Sequence, residues 1–206
     1  AALLALGGML ALLLVRGIQV EHSPLALLGE AHSVARSTQR LQDEIAGPGL
    51  FQIRLDAYAK GAFRDPANLQ RLADIQAFID KQTIFDGSVS LADYVLQAHQ
   101  EVSGGRNVSI ANLPANRRLI EQYLLLLHPE SVSPYVSDDF SRAAIVVRHG
   151  IRDAALLSEN VRELRAVVGQ IAGPAMTTTV SGRELLVDES VLPVVRYSVL
   201  AGVLAT

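Results

Sequence analysis

The side chains best suited to bind a metal or move a proton are five histidines: His22, His32, His99, His128 and His149. No two of them stand at the i, i+4 helical spacing of a metal-binding motif, and they fall in separate expected elements. A zinc site would therefore have to be assembled wholly by tertiary folding. A serine nucleophile usually sits on a Gly-x-Ser-x-Gly elbow. The nearest analogue, Val180-Ser181-Gly182-Arg183-Glu184, lacks the first glycine and reads as a strand-to-helix turn. Gly104-Gly105-Arg106-Asn107 could cradle phosphate, but no Gly-x-x-x-x-Gly-Lys pattern surrounds it and no strand directly precedes it, so it reads as a loop. Asp138-Asp139 could hold a cation or act as acid and base. Adjacent loop positions seldom bring two carboxylates to one substrate, and capping before the next strand is the competing reading. Leu124 to Leu127 is an apolar cluster that either packs on a sheet face or presents a surface to a neighbouring subunit or a greasy ligand. No residue is assigned a catalytic, cofactor-binding or metal-binding role, the expectation is that the chain is not an enzyme, and no substrate-binding residue is named.

The elements that must position these residues lie between two charge-free ends. Eighteen Lys and Arg against 21 Asp and Glu give a formal charge of −3, which removes the basic footprint of a nucleic-acid binder. With 50% hydrophobic residues the 206-residue chain must bury a core, and with no cysteine it can form neither a disulfide nor a thiolate site. Residues 1–15, AALLALGGMLALLLV, carry no charge, and neither do residues 197–206. A membrane-spanning helix needs about 20 apolar residues. The first run is thus expected to be the end of a span (residues 1–17) and the last, with Arg196 and Tyr197 where interfacial residues sit, the start of another (residues 191–206). Two buried helices of a soluble protein are the alternative. If both spans are real, residues 18–190 form one large loop on one side of a bilayer.

Within that loop a helix is expected from Pro24 to Ala46, ending at Gly47-Pro48-Gly49. Phe51, Ile53, Leu55 and Ala57 alternate with Gln52, Arg54, Asp56 and Tyr58, the period of a strand with one buried face. Asp65-Pro66 then caps a helix to Lys81 whose Leu69, Leu72, Ile75 and Ile79 share a face. Thr83 to Val89 is a weaker strand, and Ser90 caps a short helix through His99. Pro114 is expected to open a helix with Leu119, Ile120, Tyr123, Leu124 and Leu127 on one side. Ala143 to Val147 reads as a strand covered on both faces. Leu157, Val161, Leu164, Val168 and Ile171 mark an amphipathic helix ending at Gly173-Pro174, and Met176 to Val180 a last strand before a final helix. The order is strand, helix, strand, an insertion over residues 90–141, strand, helix, strand. That predicts an α+β ferredoxin-like split β-α-β sandwich with a helical insertion, one sheet face left open for a partner or for the insertion.

Phe63-Arg64-Asp65-Pro66 leading into Leu69-Gln70-Arg71-Leu72, Val89-Ser90-Leu91-Ala92-Asp93-Tyr94, the Leu113-Pro114 helix start and Val180-Ser181-Gly182 carry a further signal. In this order and between apolar ends, they resemble segments of the resistance-nodulation-division (RND) exporters, of the hydrophobe-exporter branch related to the MMPL lipid transporters and the hopanoid transporter. Each piece is short and structural. The resemblance implies an extracytoplasmic porter domain, on the periplasmic side of the inner membrane, of a secondary transporter in which proton flux drives export of hydrophobic or lipid-like substrates. It also implies, as partners, the lipid bilayer, the rest of the transporter chain, a further copy in a homo-oligomer and the substrate; no nucleic acid and no cofactor is expected. The proton-relay carboxylates of such transporters have no counterpart in these residues. Helix, extracytoplasmic block, helix is equally the plan of a membrane-bound signalling receptor with a ligand-sensing domain, which stands as the alternative.

Overall fold

A computed structural model describes residues 49–104, 113–151, 153–182 and 185. The expected helix from Pro24 to Ala46, both expected membrane segments and the final helix lie outside the described residues. Among the described residues no helix is long and apolar enough to cross a membrane.

The alternation at Phe51–Leu55 becomes strand β1 (Gly49–Asp56), with Phe51, Ile53 and Leu55 buried and Leu50 and Arg54 exposed. A 3-10 turn (Ala62–Arg64) leads to helix α1 (Pro66–Asp80). Asp65 caps α1 by accepting a hydrogen bond from the Ala67 amide at 2.9 Å, and Pro66 occupies the first turn, where a missing N–H costs nothing. Strand β2 (Gly87–Val89) and helix α2 (Leu91–Val102) follow. Helices α3 (Arg117–Leu126) and α4 (Pro129–Val132), strand β3 (Arg142–His149), helix α5 (Ala154–Ala172) and strand β4 (Thr177–Gly182) complete the order.

The four strands form one antiparallel sheet in the order β2–β3–β1–β4, so the described residues are α+β, with five α-helices and a single sheet among them. β1 is central. Ile53 lies between Ile145 and Val180, and Leu55 between Ala143 and Thr178. Helices α1 and α5 pack on each other, α1 reaching β2 and α5 reaching β4, and their apolar stripes close one core with the sheet's buried face. Two glycines are set by close approach. At Gly49, opposite His149, a Cβ would collide with the His149 ring, and at Gly182 it would stand 2.7 Å from Phe51 Cβ. The sheet at these two points fits only a hydrogen.

Three local expectations are corrected. The helix expected to open at Pro114 begins at Arg117, because the Asn116 side chain accepts from the Arg118 amide at 2.9 Å and makes a better N-cap than proline makes a first turn. The strand expected over Thr83–Val89 narrows to Gly87–Val89. Phe85 donates its amide to the Gln82 carbonyl in a turn, and pairing begins where the Asp86 amide meets the Arg148 carbonyl at 2.9 Å. β3 is covered fully on one face and in part on the other: Ala143, Ile145 and Val147 face the core and Ala144 behind them is also buried, while Arg142 and Arg148 are exposed and Val146 is half-buried. The second face carries the short side chains Ala144, buried beside the end of the insertion, and Val146, rather than a full covering layer.

The insertion extends the core sideways instead of lying across the open sheet face. α2 packs on α1, α3 packs on α2 and on the 3-10 turn, and Ile120, Tyr123, Val132 and Val136 join the same apolar cluster as the sheet. Val136 bridges to Ala143, and Ala144 donates to the Tyr135 carbonyl at 2.8 Å, so the end of the insertion prolongs the β2 edge of the sheet.

Candidate functional site

Two backbone turns far apart in sequence are stitched together at one end of β1. Gly61 donates to the Asp139 carbonyl at 2.7 Å, Phe63 to the Phe140 carbonyl at 3.0 Å and Ala57 to the Ser141 carbonyl at 3.0 Å. Phe63 is fully buried and anchors the first turn from below. Its neighbour Arg64 is thereby held with its guanidinium carbon 4.4 Å from the centre of the Phe140 ring, a cation–π geometry. Arg64 Nε is buried and has no hydrogen-bond acceptor among the described residues.

Arg64 faces a groove of about 520 Å³ whose walls are largely apolar, with Leu124, Leu127, Val132 and Phe140 prominent, and whose rim carries Glu121 and Asp138. The Leu cluster singled out in the sequence forms one wall. Leu124 and Leu127 turn inward against the core, while Leu125 and Leu126 are 86% and 67% exposed, Leu125 at the lip of the groove. Glu121 is engaged by Arg117 at 3.1 Å, one turn earlier on the exposed side of α3. Volume and lining fall within the range of small-molecule sites, about 300–1,000 Å³ with a few convergent polar groups.

The adjacent carboxylates Asp138 and Asp139 are separated by the fold. Asp138 lines the groove, whereas Asp139 folds back into its own turn and accepts from Ser141 Oγ at 2.7 Å, Ser137 Oγ at 2.8 Å and the Ser141 amide at 3.0 Å. These bonds, led by that of Ser141, hold the Asp139 carboxyl down to about 2. The folded value lies below the ordinary carboxylate value of about 3.9. The bonds therefore stabilise the turn fully above the unfolded value, and that contribution is lost as pH falls from about 4 towards about 2. Asp139→Asn is expected to flatten the acid side of the stability curve in that window, measured as Tm against pH by circular dichroism; an unchanged acid limb refutes the assignment.

The other candidates are dispersed. His99 on α2 places Nδ1 2.8 Å from the Tyr123 hydroxyl of α3 and so ties two helices of the insertion. His149 is buried at the end of β3 with its ring 5.7 Å from that of Phe51. His128 sits exposed before α4, and His22 and His32 lie outside the described residues. Ser181 pairs with Gln52 in the sheet. Gly104 lies just past the end of α2, while Gly105, Arg106 and Asn107, like Arg183 and Glu184, lie outside the described residues. Among the described residues no three His, Asp or Glu side chains converge as a metal site would require.

Two features escaped the sequence reading. Arg64 appeared there only inside a structural segment, and no residue type beside it signals a groove. Gln76, almost fully buried on α1, binds Ser90 Oγ at 2.7 Å through Oε1 and Asp93 Oδ2 at 2.7 Å through Nε2. Its signal was present: it stands four residues after Leu72 and three before Ile79, a polar residue on the apolar stripe. Nearby, Tyr94 and Tyr135 approach at 5.3 Å between ring centres; burial first, then the Tyr94 hydrogen bond, raises the Tyr135 phenol. Burial and the Asp93 charge raise the Asp80 carboxyl.

Comparison of the chain with protein-family models, with curated proteins and with solved structures gives no match.

Proposed function

We propose that this chain is the extracytoplasmic porter part of a proton-driven membrane exporter of hydrophobic or lipid-like substrates, built on a ferredoxin-like split β-α-β sandwich. The observation that carries the proposal is the pairing of two β-α-β units, β1-α1-β2 and β3-α5-β4, within one antiparallel sheet of order β2–β3–β1–β4. An insertion between the two units turns an apolar groove outward. The charge-free runs at residues 1–15 and 197–206 supply the membrane setting of this reading. The division of labour follows from chemistry: the sheet and its two helices are a packed scaffold, and the groove beside the insertion handles substrate. No described residue transfers protons in this scheme. That task belongs to carboxylates within membrane helices, where a charge is costly without a role.

Residues 1–206 contain no cysteine, so the test needs only that any cysteine elsewhere in the gene be replaced by serine. Leu125→Cys places one thiol at an 86% exposed position. In cells expressing the whole gene, it is expected to react with a membrane-impermeant maleimide without lysis of the inner membrane. Reaction only after lysis overturns an extracytoplasmic location. Translating the gene beyond Thr206 then separates the classes. Five further hydrophobic spans of about 20 residues each, one with a buried Asp, fit an exporter. One span followed by a polar heptad region makes the protein a sensor instead.

A further inference from the structure

We infer that the groove beside α3 is a binding site for a single-chain amphiphile with an anionic head, a long-chain carboxylate, whose head is taken by Arg64 and whose chain lies along Leu124, Leu127 and Val132. The inference rests on the groove's geometry and gives the exporter reading a substrate class.

Arg64 carries an unsatisfied donor. A guanidinium carries five N–H groups in a fixed fork and is never neutral, so a buried N–H without an acceptor is costly unless something supplies one. Arg64 Nε is in that condition, and the Phe140 ring beneath the guanidinium offers its π face, which stabilises the charge without accepting the in-plane N–H bonds. Nε itself is sealed from solvent, so a carboxylate in the groove that Arg64 lines would meet the guanidinium at its terminal nitrogens, where the fork can take an oxygen pair. Glu121 does not compete, because its carboxylate is engaged by Arg117 at 3.1 Å. Asp138 lies exposed at the rim, where solvent screens it.

Charge and volume then select the ligand. With Glu121 paired to Arg117 and Asp138 screened at the rim, the single Arg64 guanidinium suits a monoanion better than a phosphate diester cluster or a nucleotide, which draw several cations. The walls beyond Arg64 are aliphatic and aromatic, and a groove of about 520 Å³ is far larger than a small free anion needs. A short carboxylate would leave those walls wet, whereas a long chain removes them from water. The exposed Leu125 at the lip extends the apolar path outward, as expected of a site entered by a chain from one end.

The test uses the full chain held in amphipol and the fluorescent probe 11-dansylaminoundecanoic acid, displaced in turn by palmitate, hexadecanol and acetate. Palmitate is expected to displace the probe at least about tenfold more strongly than hexadecanol, which lacks the charge, and acetate is expected not to displace it. Arg64→Gln is expected to lose about tenfold in palmitate affinity with hexadecanol unchanged. Leu125→Glu changes an exposed side chain and leaves the core intact; it is expected to weaken palmitate severalfold by adding a carboxylate at the lip. Equal displacement by palmitate and hexadecanol, or wild-type palmitate affinity in both variants, overturns the inference. If Arg64→Gln does not fold, the hexadecanol comparison and Leu125→Glu decide. Because the assay involves no transport, it fails or succeeds independently of the maleimide labelling and the span count above.

Discussion

Phe63→Ala is expected to lower the free energy of unfolding by about 3–5 kcal/mol, the cost of truncating a fully enclosed aromatic ring, and to abolish binding of the dansyl probe. Phe63 belongs to a three-residue 3-10 turn, an element too short to hold its own shape, yet it has no exposed surface at all. The turn stays in place because this ring is sunk in the common core and because its amide reaches the Phe140 carbonyl at 3.0 Å. Removing the ring leaves a cavity beneath Arg64 and frees both the guanidinium and the Phe140 turn it rests on. A core truncation remote from the groove, Ile79→Ala on α1, is expected to cost about 2–5 kcal/mol and to leave binding intact. Urea unfolding followed by far-ultraviolet circular dichroism, beside the probe titration on the folded protein, separates the two effects. If Phe63→Ala and Ile79→Ala destabilise equally and both still bind the probe, Phe63 is an ordinary core residue and the groove is positioned by something else.

The elements were legible wherever burial writes a local period. Phe51, Ile53 and Leu55 alternate over successive positions, and Leu157, Val161, Leu164 and Val168 recur by helical steps; each set is buried as its spacing demanded. The four consecutive leucines show how far this goes. Identical in type, they differ only in phase: Leu124 and Leu127 continue the stripe of Ile120 and Tyr123 and turn inward, and Leu125 and Leu126 fall off it into solvent. Helix starts were less legible, since Pro114 and Asn116 compete within three positions and only the realised hydrogen bond decides between them. The groove was legible only at one wall, the Leu124–Leu127 cluster. It exists because the turn at residues 61–64 meets the turn at residues 137–141 across a long stretch of chain, and no local pattern encodes that meeting. The unsatisfied Arg64 donor is a property of the assembled site, not of the segment Phe63-Arg64-Asp65-Pro66.

Gln76→Ala is expected to cost about 2–4 kcal/mol, more than an ordinary polar substitution, because it orphans the fully buried Ser90 hydroxyl and removes a donor from the half-buried Asp93. The side chain is 2% exposed and sits where α1 meets the start of α2. Its carbonyl accepts from Ser90 Oγ at 2.7 Å, and its amide donates to Asp93 Oδ2 at 2.7 Å and, more weakly, to the Ser88 carbonyl at 3.3 Å. Ser90 and Asp93 are the two halves of the capping box of α2: Ser90 Oγ accepts from the Ala92 amide at 3.0 Å, and Asp93 Oδ2 accepts from the Ser90 amide at 2.7 Å. One buried glutamine thereby joins the helix of the first β-α-β unit to the cap that launches the insertion, and the groove's α3 wall stands on α2. Ser90→Ala alone removes a cap worth about 1 kcal/mol and the same Gln76 bond. If the three side chains act as a unit, the double variant is expected to cost less than the two single losses added, with a coupling of about 1–3 kcal/mol in a double-mutant cycle. Hydrogen exchange gives the structural counterpart: in Gln76→Ala, amides of α2 and α3 are expected to lose protection before those of β1 and α5. Additive losses, or uniform loss of protection over the whole sheet, refute the clamp and make Gln76 a polar residue tolerated in the core rather than the joint between scaffold and insertion.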